Sequence, residues 1–327
     1  QSAYNLVRQI AQPNIPTTGT DFVDLNADGA IDQVWHWKPT SGSAVSGVAF
    51  NNSKPADRLK KVTNGFGVEA QITYAPLTER SGASYTVYDK GTGGPTDTIN
   101  VIGPMYVVKT VSNDDGAGGQ YAINYRYGGL RSHWTQATDS RTNIVTKTTY
   151  KQEYPYIGMV ASTETKSGST VLSSSATTYA DKNASGDVRL PYAATVTQSS
   201  NDLNGSAISS STTTTQIDTY GNVTSITVNT GGGYSKTTTN TYTDNVSLWL
   251  LGRLTQSTVA SAAPSKPTLA RTSTFTYHST NGLLLTETVE PNDPTLKLTT
   301  TYTYDAYGNK LSATTEGATI TVNSSGT

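Results

Sequence analysis

Apolar and polar residues alternate along most of this chain. In residues 223–229, Ile226 and Val228 fall on one side of an extended segment, and Thr227 falls on the other. Residues 272–278 repeat the alternation, and Gly, Pro, Asn and Asp separate such runs from one another. Apolar residues almost nowhere recur at helical spacing. A period of two between turn residues is typical of β-strands, so the pattern predicts an all-β protein.

One element recurs in the second half of the chain, and we call it the tyrosine element. It consists of a strand that ends in Tyr (once Ile), a polar turn with Asn, Asp or Gly, and a strand in which Leu or Val alternates with Thr. Strand pairs this short cannot bury a face alone and must stack on neighbours, which predicts a repetitive scaffold. A disordered Thr/Ser-rich tract is the alternative, and the regular tyrosines at strand ends disfavour it. The elements align on Tyr179, Ile217, Tyr242, Tyr277 and Tyr304.

Three regions of the chain differ in their pattern. Residues 1–50 contain an acidic loop followed by an aromatic strand. Residues 51–160 combine glycine-rich turns with tyrosine-rich strands, and residues 161–327 are rich in Thr and Ser and contain the tyrosine elements. We therefore predict three domains with these boundaries.

Composition narrows the classes of function. The formal net charge is -1 and 14% of residues are charged, which disfavours nucleic acid or an anionic membrane as a partner, since both attract clustered Lys and Arg. The chain has no cysteine, which excludes disulfides, thiol catalysis and thiolate metal sites. The strongest apolar run, residues 248–251, is far shorter than the roughly 20 residues of a membrane helix. Because no basic-then-apolar leader follows Gln1, we expect a mature or excised fragment.

The most specific chemical signal is the acidic loop of residues 24–32. Oxygen ligands at alternate positions around a glycine turn suit a hard cation such as Ca²⁺, and the distal Glu of an EF-hand is missing. The alternative is a polar hairpin turn without metal. If the loop binds Ca²⁺, the ion is structural and stiffens a hairpin. The predicted ligands are Asp24, Asn26, Asp28, the Ala30 carbonyl and Asp32.

No pattern in the chain indicates catalysis. His36, His133 and His278 are far apart in sequence, and none has the context of a metalloprotease helix or a nucleophile elbow. Two carboxylate pairs were considered for a glycosidase, Asp114 with Asp115 and Glu287 with Glu290. The first pair lies in a turn and the second beside a strand and Pro291, which disfavours this role. Trp134 and Trp249 could be exposed platforms for sugars, but residues 248–254 are expected to form a buried sheet face. We therefore predict that the protein is not an enzyme.

Several segments resemble a known toxin family. Residues 304–311 (YDAYGNKL) and 217–226 (IDTYGNVTSI) resemble the YD repeats of the Rhs/YD-repeat superfamily. Four further segments resemble, in the same order, the middle region of the B component of insecticidal Tc toxin complexes. They are residues 64–78, 104–131, 148–159 and 249–259. The acidic loop resembles the calcium loop of FG-GAP/VCBS propeller blades, which often precede that region. One departure is that a Gly-Arg-Gly-Phe-Leu-Gly-Phe-like motif, usual after YRYGG, is missing near residue 130, which leaves the strand pairing there open.

The resemblance implies a fold and a function. In the family, YD repeats form a curved β-sheet that becomes a hollow shell around a toxic C-terminal polypeptide. We expect a non-catalytic segment of a secreted bacterial toxin, in which a propeller-like hairpin precedes the shell wall. Its partners would be the C-terminal cargo, other toxin-complex subunits and, through exposed strand edges, a second copy. The alternative is an extracellular adhesion or glycan-binding module built of YD repeats.

Overall fold

The computed structural model describes residues 4–11, 19–23, 25, 31–37, 40–43, 45–51, 58–77, 79, 86–89, 105–129, 133–183 and 187–317. The described residues form strands and turns, with one short 3-10 helix at Val246–Leu248. The prediction of an all-β fold is confirmed. The chain divides into unit 1, residues Gln1–Glu153 and Ile157–Leu172, and unit 2, residues Tyr154–Tyr156 and Ser173–Thr327.

Unit 1 contains a small sheet of four strands. Their order is β1-β4-β3-β2, and each pairing is antiparallel. The segment between β2 and β3 includes the acidic loop, so the loop joins two paired strands, as a hairpin requires. The strands are β1 (Tyr4–Ala11), β2 (Gly19–Val23), β3 (Asp32–Trp37) and β4 (Val45–Asn51).

Unit 1 also contains a larger sheet. Here β6 lies between β5 and β8, and β8 to β12 pair in sequence order, all antiparallel. The short strand β7 pairs parallel to β9. Strands β9 and β10 pair directly from Gly128 and Trp134 onwards, so the sheet continues across the point where the family motif is missing. The strands are β5 (Lys61–Thr63), β6 (Glu69–Pro76), β7 (Tyr88–Asp89), β8 (Tyr106–Asp114), β9 (Gln120–Gly128), β10 (Trp134–Asp139), β11 (Ile144–Tyr150) and β12 (Val160–Ser167).

Unit 2 is a meander in which each strand pairs antiparallel with the next along the chain. The strands are β13 (Thr170–Asp181, of which unit 2 includes the part from Ser173), β14 (Pro191–Asn201), β15 (Ala207–Ile217), β16 (Val223–Asn229), β17 (Ser235–Asn245), β18 (Leu250–Ala262), β19 (Leu269–Tyr277), β20 (Leu284–Val289), β21 (Leu298–Tyr304) and β22 (Lys310–Gly317). Because the strands alternate in direction, the turns after β13, β15, β17, β19 and β21 lie at one edge, which we call the turn edge.

A β-bulge marks every tyrosine element. The pairing register shifts immediately before each of the five aligned residues. A bulge adds a residue to one strand, increases the local twist and redirects the side chain that follows it. The loose sequence repeat is therefore a strict structural one, because the same irregularity falls at the same position of every element.

The hydrophobic core of the described chain is small. In unit 1, Ala75, Leu77, Val87 and Tyr88 form a buried cluster. Among the described residues of unit 2, Ile217 is the buried apolar side chain, and each strand contacts chiefly its sequence neighbours. Cross-strand side-chain pairs must therefore supply much of its stability.

Candidate functional site

The tyrosines of three elements each link their own hairpin of unit 2 to the one before it. The hydroxyl groups of Tyr242, Tyr277 and Tyr304 donate to backbone carbonyls at 2.8, 2.9 and 2.8 Å. Each accepting residue is the cross-strand partner of the aligned residue in the preceding element. Each ring therefore spans from its own strand to the previous hairpin. The accepting carbonyls belong to Val223, Leu254 and Leu284.

An aspartate directly after the aligned residue organises two of the turns. Asp305 Oδ1 accepts the N–H groups of Tyr307 and Asn309 at 2.9 and 2.8 Å, and its Oδ2 accepts the Asn309 side-chain amide at 2.8 Å. These bonds, the one from the Asn309 side chain first, lower the pKa of Asp305. Gly308 has φ of 85°, which glycine adopts without steric cost.

The turn after β15 repeats this geometry. Asp218 accepts from the Tyr220 and Asn222 N–H groups and from the Asn222 side chain, and Gly221 has φ of 88°. Burial opposes ionisation here, yet the hydrogen bonds from Asn222, Tyr220 and Gly221 together outweigh it and lower the pKa of Asp218. Gly282, in the turn after β19, also has a positive φ, of 72°.

Histidine takes the place of aspartate in the turn after β19. The Nδ1 atom of His278 lies 3.4 Å from the Thr280 nitrogen and accepts its N–H. The same Nδ1 atom lies 3.2 Å from the Thr280 hydroxyl oxygen. His278 thus has a structural role in the turn.

Aromatic side chains project from the turn edge. Tyr220, Trp249 and Tyr307 are 47%, 74% and 92% exposed. The expectation that residues 248–254 bury their side chains was wrong for Trp249: Asn245 caps the 3-10 helix by accepting the Leu248 N–H, and Trp249 follows in a left-handed conformation with φ of 54°. Asp244 and Asn245 are typical turn residues, and they are the sequence signal for this interruption between β17 and β18. Trp134, by contrast, is half-buried in β10.

The two faces of the unit 2 sheet differ in chemistry. One, the threonine face, displays hydroxyl pairs that bond across strands at 3.0 to 3.2 Å. The other, the mixed face, combines aliphatic, aromatic and charged side chains, most of them half-buried. The threonine face includes Thr227, Thr237, Thr258, Thr272, Thr288 and Thr299, and the mixed face includes Ile226, Val259, Phe275, Glu287, Val289 and Tyr302.

Only part of the predicted metal loop lies within the described residues. Asp24, Asn26, Asp28 and Ala30 lie outside the described residues, so calcium binding stays a prediction. Asp32 is fully buried, and its carboxylate accepts the N–H groups of Leu25 and Asn51 at 2.9 and 2.8 Å. The carboxylate joins the loop to the end of β4, and no described cation pairs with it.

The residues considered for catalysis do not converge. Among the described residues, no histidine hydrogen-bonds to a carboxylate or a serine hydroxyl, and no cluster of three metal-ligating side chains occurs. Asp114 accepts the N–H of Glu69 in β6, and Asp115 accepts two backbone N–H groups of the β8–β9 turn. Glu287 accepts the Tyr302 hydroxyl, and Glu290 a backbone N–H. These carboxylates thus have structural partners.

Comparison with known proteins agrees with these features. Residues 2–136 match the family model described as insecticide toxin TcdB middle/N-terminal region. The predicted resemblance to the B component of Tc toxins is confirmed. No curated protein matches the chain, and no helix in the described part is long and apolar enough to span a membrane.

Solved structures of Tc toxins resemble this chain in fold. A Photorhabdus luminescens Tc holotoxin pore matches with a TM-score of 0.55 and 9% identity over 84% of this chain and 20% of that one. A TcdB2-TccC3-Cdc42 crystal structure gives 0.55 and 9% over 94% and 22%. A TcdB2-TccC3 crystal structure gives 0.55 and 10% over 92% and 22%. The chain therefore spans about a fifth of the length of the solved chains it matches.

Proposed function

We propose that this chain is a non-catalytic wall segment of a secreted bacterial Tc-type toxin, and that the assembled wall encloses a C-terminal polypeptide cargo. The TcdB match over residues 2–136 and the fold likeness to Tc toxin chains support the toxin assignment. The turns and paired carboxylates with structural partners support a role without catalysis.

One observation is the main support: the unit 2 sheet has two unlike faces, and among its described residues Ile217 is the one buried apolar side chain. A sheet normally covers at least one face with another layer. Ile226, Phe275 and Tyr302 are half-buried on the mixed face, which combines apolar and charged groups. An unfolded polypeptide offers the same mixture, so the mixed face is the one that contacts cargo in this proposal.

The experiment places single cysteines on adjacent residues of β16. Because the chain has no cysteine, Ile226→Cys reports on the mixed face and Thr227→Cys on the threonine face. Each variant is labelled with a thiol reagent, alone and after co-production with a C-terminal cargo polypeptide. We expect the cargo to slow labelling at position 226 and to leave position 227 unchanged. Equal labelling of both variants in both samples contradicts the proposal.

Small-angle scattering tests the hollow wall separately. A compact globule of 327 residues has a radius of gyration of roughly 20 Å. A hollow wall gives a clearly larger value and a distance distribution depleted near the centre. A wall segment would also expose strand edges, so we expect self-association or partner binding at its ends. A monomer of compact dimensions at high concentration rejects this part of the proposal.

A second candidate is an adhesion or glycan-binding module, and the exposed aromatics of the turn edge favour it. Aromatic rings that expose a flat face stack on sugars, and Trp249 and Tyr307 are the most exposed of the three. Trp249→Ala and Tyr307→Ala, measured on a glycan array, distinguish the candidates. Loss of a specific glycan signal in both variants supports the binding module, and no signal in the wild-type chain rejects it.

We also propose that the loop of residues 24–32 binds a structural Ca²⁺ ion. Asp32 fits this role because its carboxylate is buried and the described residues supply it with no cationic partner, whereas buried charges are normally paired or bound to metal. Asp24, Asn26, Asp28 and the Ala30 carbonyl would complete the ligand set. The ion would offset the repulsion among the carboxylates and hold the hairpin between β2 and β3.

A further inference from the structure

A cleft opens at the turn edge of unit 2. Its volume is about 590 Å³. The end of β17 and the 3-10 helix form one side, and the end of β19 with the turn after it forms the other. Arg253 of β18 and His278 both line the cleft, together with Asp244. It therefore combines a cation, an imidazole and a single carboxylate.

Arg253 has no carboxylate partner. Its side chain forms no hydrogen bond and no ion pair with any described residue, and its Nε atom is buried. Its guanidinium carbon lies 5.8 Å from the centroid of the Tyr277 ring. A Cβ at Gly282 would lie 3.2 Å from Nη1, so glycine leaves room for the guanidinium.

The other arginines of unit 2 make the contrast clear. Arg189 forms an ion pair with Asp181 at 2.9 Å, and Arg271 pairs with Glu290 at 3.8 Å. The chain therefore provides a carboxylate for each arginine of the described part of this unit except Arg253. A buried donor without an acceptor is costly and calls for an explanation such as an absent ion or ligand.

The chemistry of the cleft selects the kind of anion. A guanidinium binds a planar carboxylate through two parallel hydrogen bonds. His278 lines the same cleft, and because Thr280 already contacts its Nδ1 atom, Nε2 is the ring nitrogen left to donate to a ligand. Asp244, whose Oδ1 accepts the Gly252 N–H at 2.7 Å, repels anions. One cation beside one carboxylate therefore favours a monoanion over a phosphate dianion.

We propose that this cleft binds a carboxylate group of a ligand, with Arg253 as the principal contact and His278 as a second donor. The carboxylate can belong to an acidic side chain of a polypeptide or to an acidic sugar. The proposal does not depend on the wall function, because it rests on contacts within unit 2 alone.

Nuclear magnetic resonance of the wild-type chain is the direct test. The Nε–H resonance of Arg253 is followed while N-acetyl-aspartate N-methylamide or glucuronic acid is added. The matched neutral probes are N-acetyl-asparagine N-methylamide and glucose. We expect a saturable shift with at least one acidic probe and none with its neutral counterpart. Response to the aspartate derivative alone identifies a polypeptide source, and response to the uronic acid alone identifies a saccharide.

Variants separate a specific contact from general charge. Arg253→Gln should weaken binding about ten- to hundredfold, the range expected for lost hydrogen bonds to a charged group. Arg271→Gln removes the same charge from the next strand and should change binding less than about twofold. Arg253→Lys keeps the charge but lacks the planar fork, and provides the comparison if the glutamine variant fails to fold. An unmoved resonance with both acids, equal response to neutral probes, or equal loss in the Arg271 variant overturns the proposal.

Discussion

Replacing Tyr304 with phenylalanine removes the hydroxyl that donates to the Leu284 carbonyl at 2.8 Å and keeps the ring. A net contribution of about 0.5–1.5 kcal/mol is typical of such a hydrogen bond. Leu284, whose carbonyl loses its donor, is half-buried, so we expect a loss near the middle of that range, at about 1 kcal/mol. For a unit of this size, that loss lowers the midpoint of thermal unfolding by about 2–4 °C.

The assay is equilibrium unfolding in urea and by heat, followed by circular dichroism. Tyr307→Phe is the matched control, because Tyr307 lies in the same turn, is 92% exposed and has no hydrogen bond from its hydroxyl. The control should stay within about 0.5 kcal/mol of wild type. Combining the change with Tyr242→Phe and Tyr277→Phe should cost about 3 kcal/mol if the three links are independent.

Identical midpoints for Tyr304→Phe and Tyr307→Phe would refute the reasoning. The hydroxyl links would then be incidental, and hairpin stacking would depend on the rings and the threonine pairs alone. An unchanged urea slope is also required, since a change in the slope reports a change in the surface exposed on unfolding.

Other predictions concern turns, acid and metal. Gly308→Ala, at φ of 85°, should cost about 1–2 kcal/mol in the free energy of unfolding; Gly65→Ala, where a Cβ meets nothing within 4 Å, is the control, and equal effects would reject the strain. The lowered pKa of Asp305 makes its stabilising contribution present above its usual value of 3.8 and lost as the pH falls through the folded value. Asp305→Asn should therefore lose less stability than wild type on acidification below that value, and parallel pH curves would count against this role. Chelation of calcium should lower the melting temperature of wild type but not of Asp28→Asn. Bound Ca²⁺ at a hundredfold excess over its Kd stabilises the folded state by about 2.7 kcal/mol. An unchanged melting temperature of wild type on chelation would refute the calcium site.

Much of the fold follows from local sequence. Alternation with a period of two and regular turn residues predict strands, and Gly221 and Gly308 predict left-handed turns, because only short-range sterics decide these features. The tyrosine elements were also identified from sequence alone. The position of Trp249 was not, because an apolar run of four residues suits a buried strand as well as a turn, and here an asparagine cap decided it.

The sequence by itself determined the all-β class, the places of the turns, the recurrent element and the resemblance to Tc toxins. Only the tertiary structure decided which side chains meet: that Tyr304 reaches back to Leu284, that threonines form one face, and that Arg253 has no carboxylate partner. The physical reason is register. Alternation states that two faces exist, but strand pairing is non-local, and a single bulge before each aligned residue changes which side chains lie opposite one another.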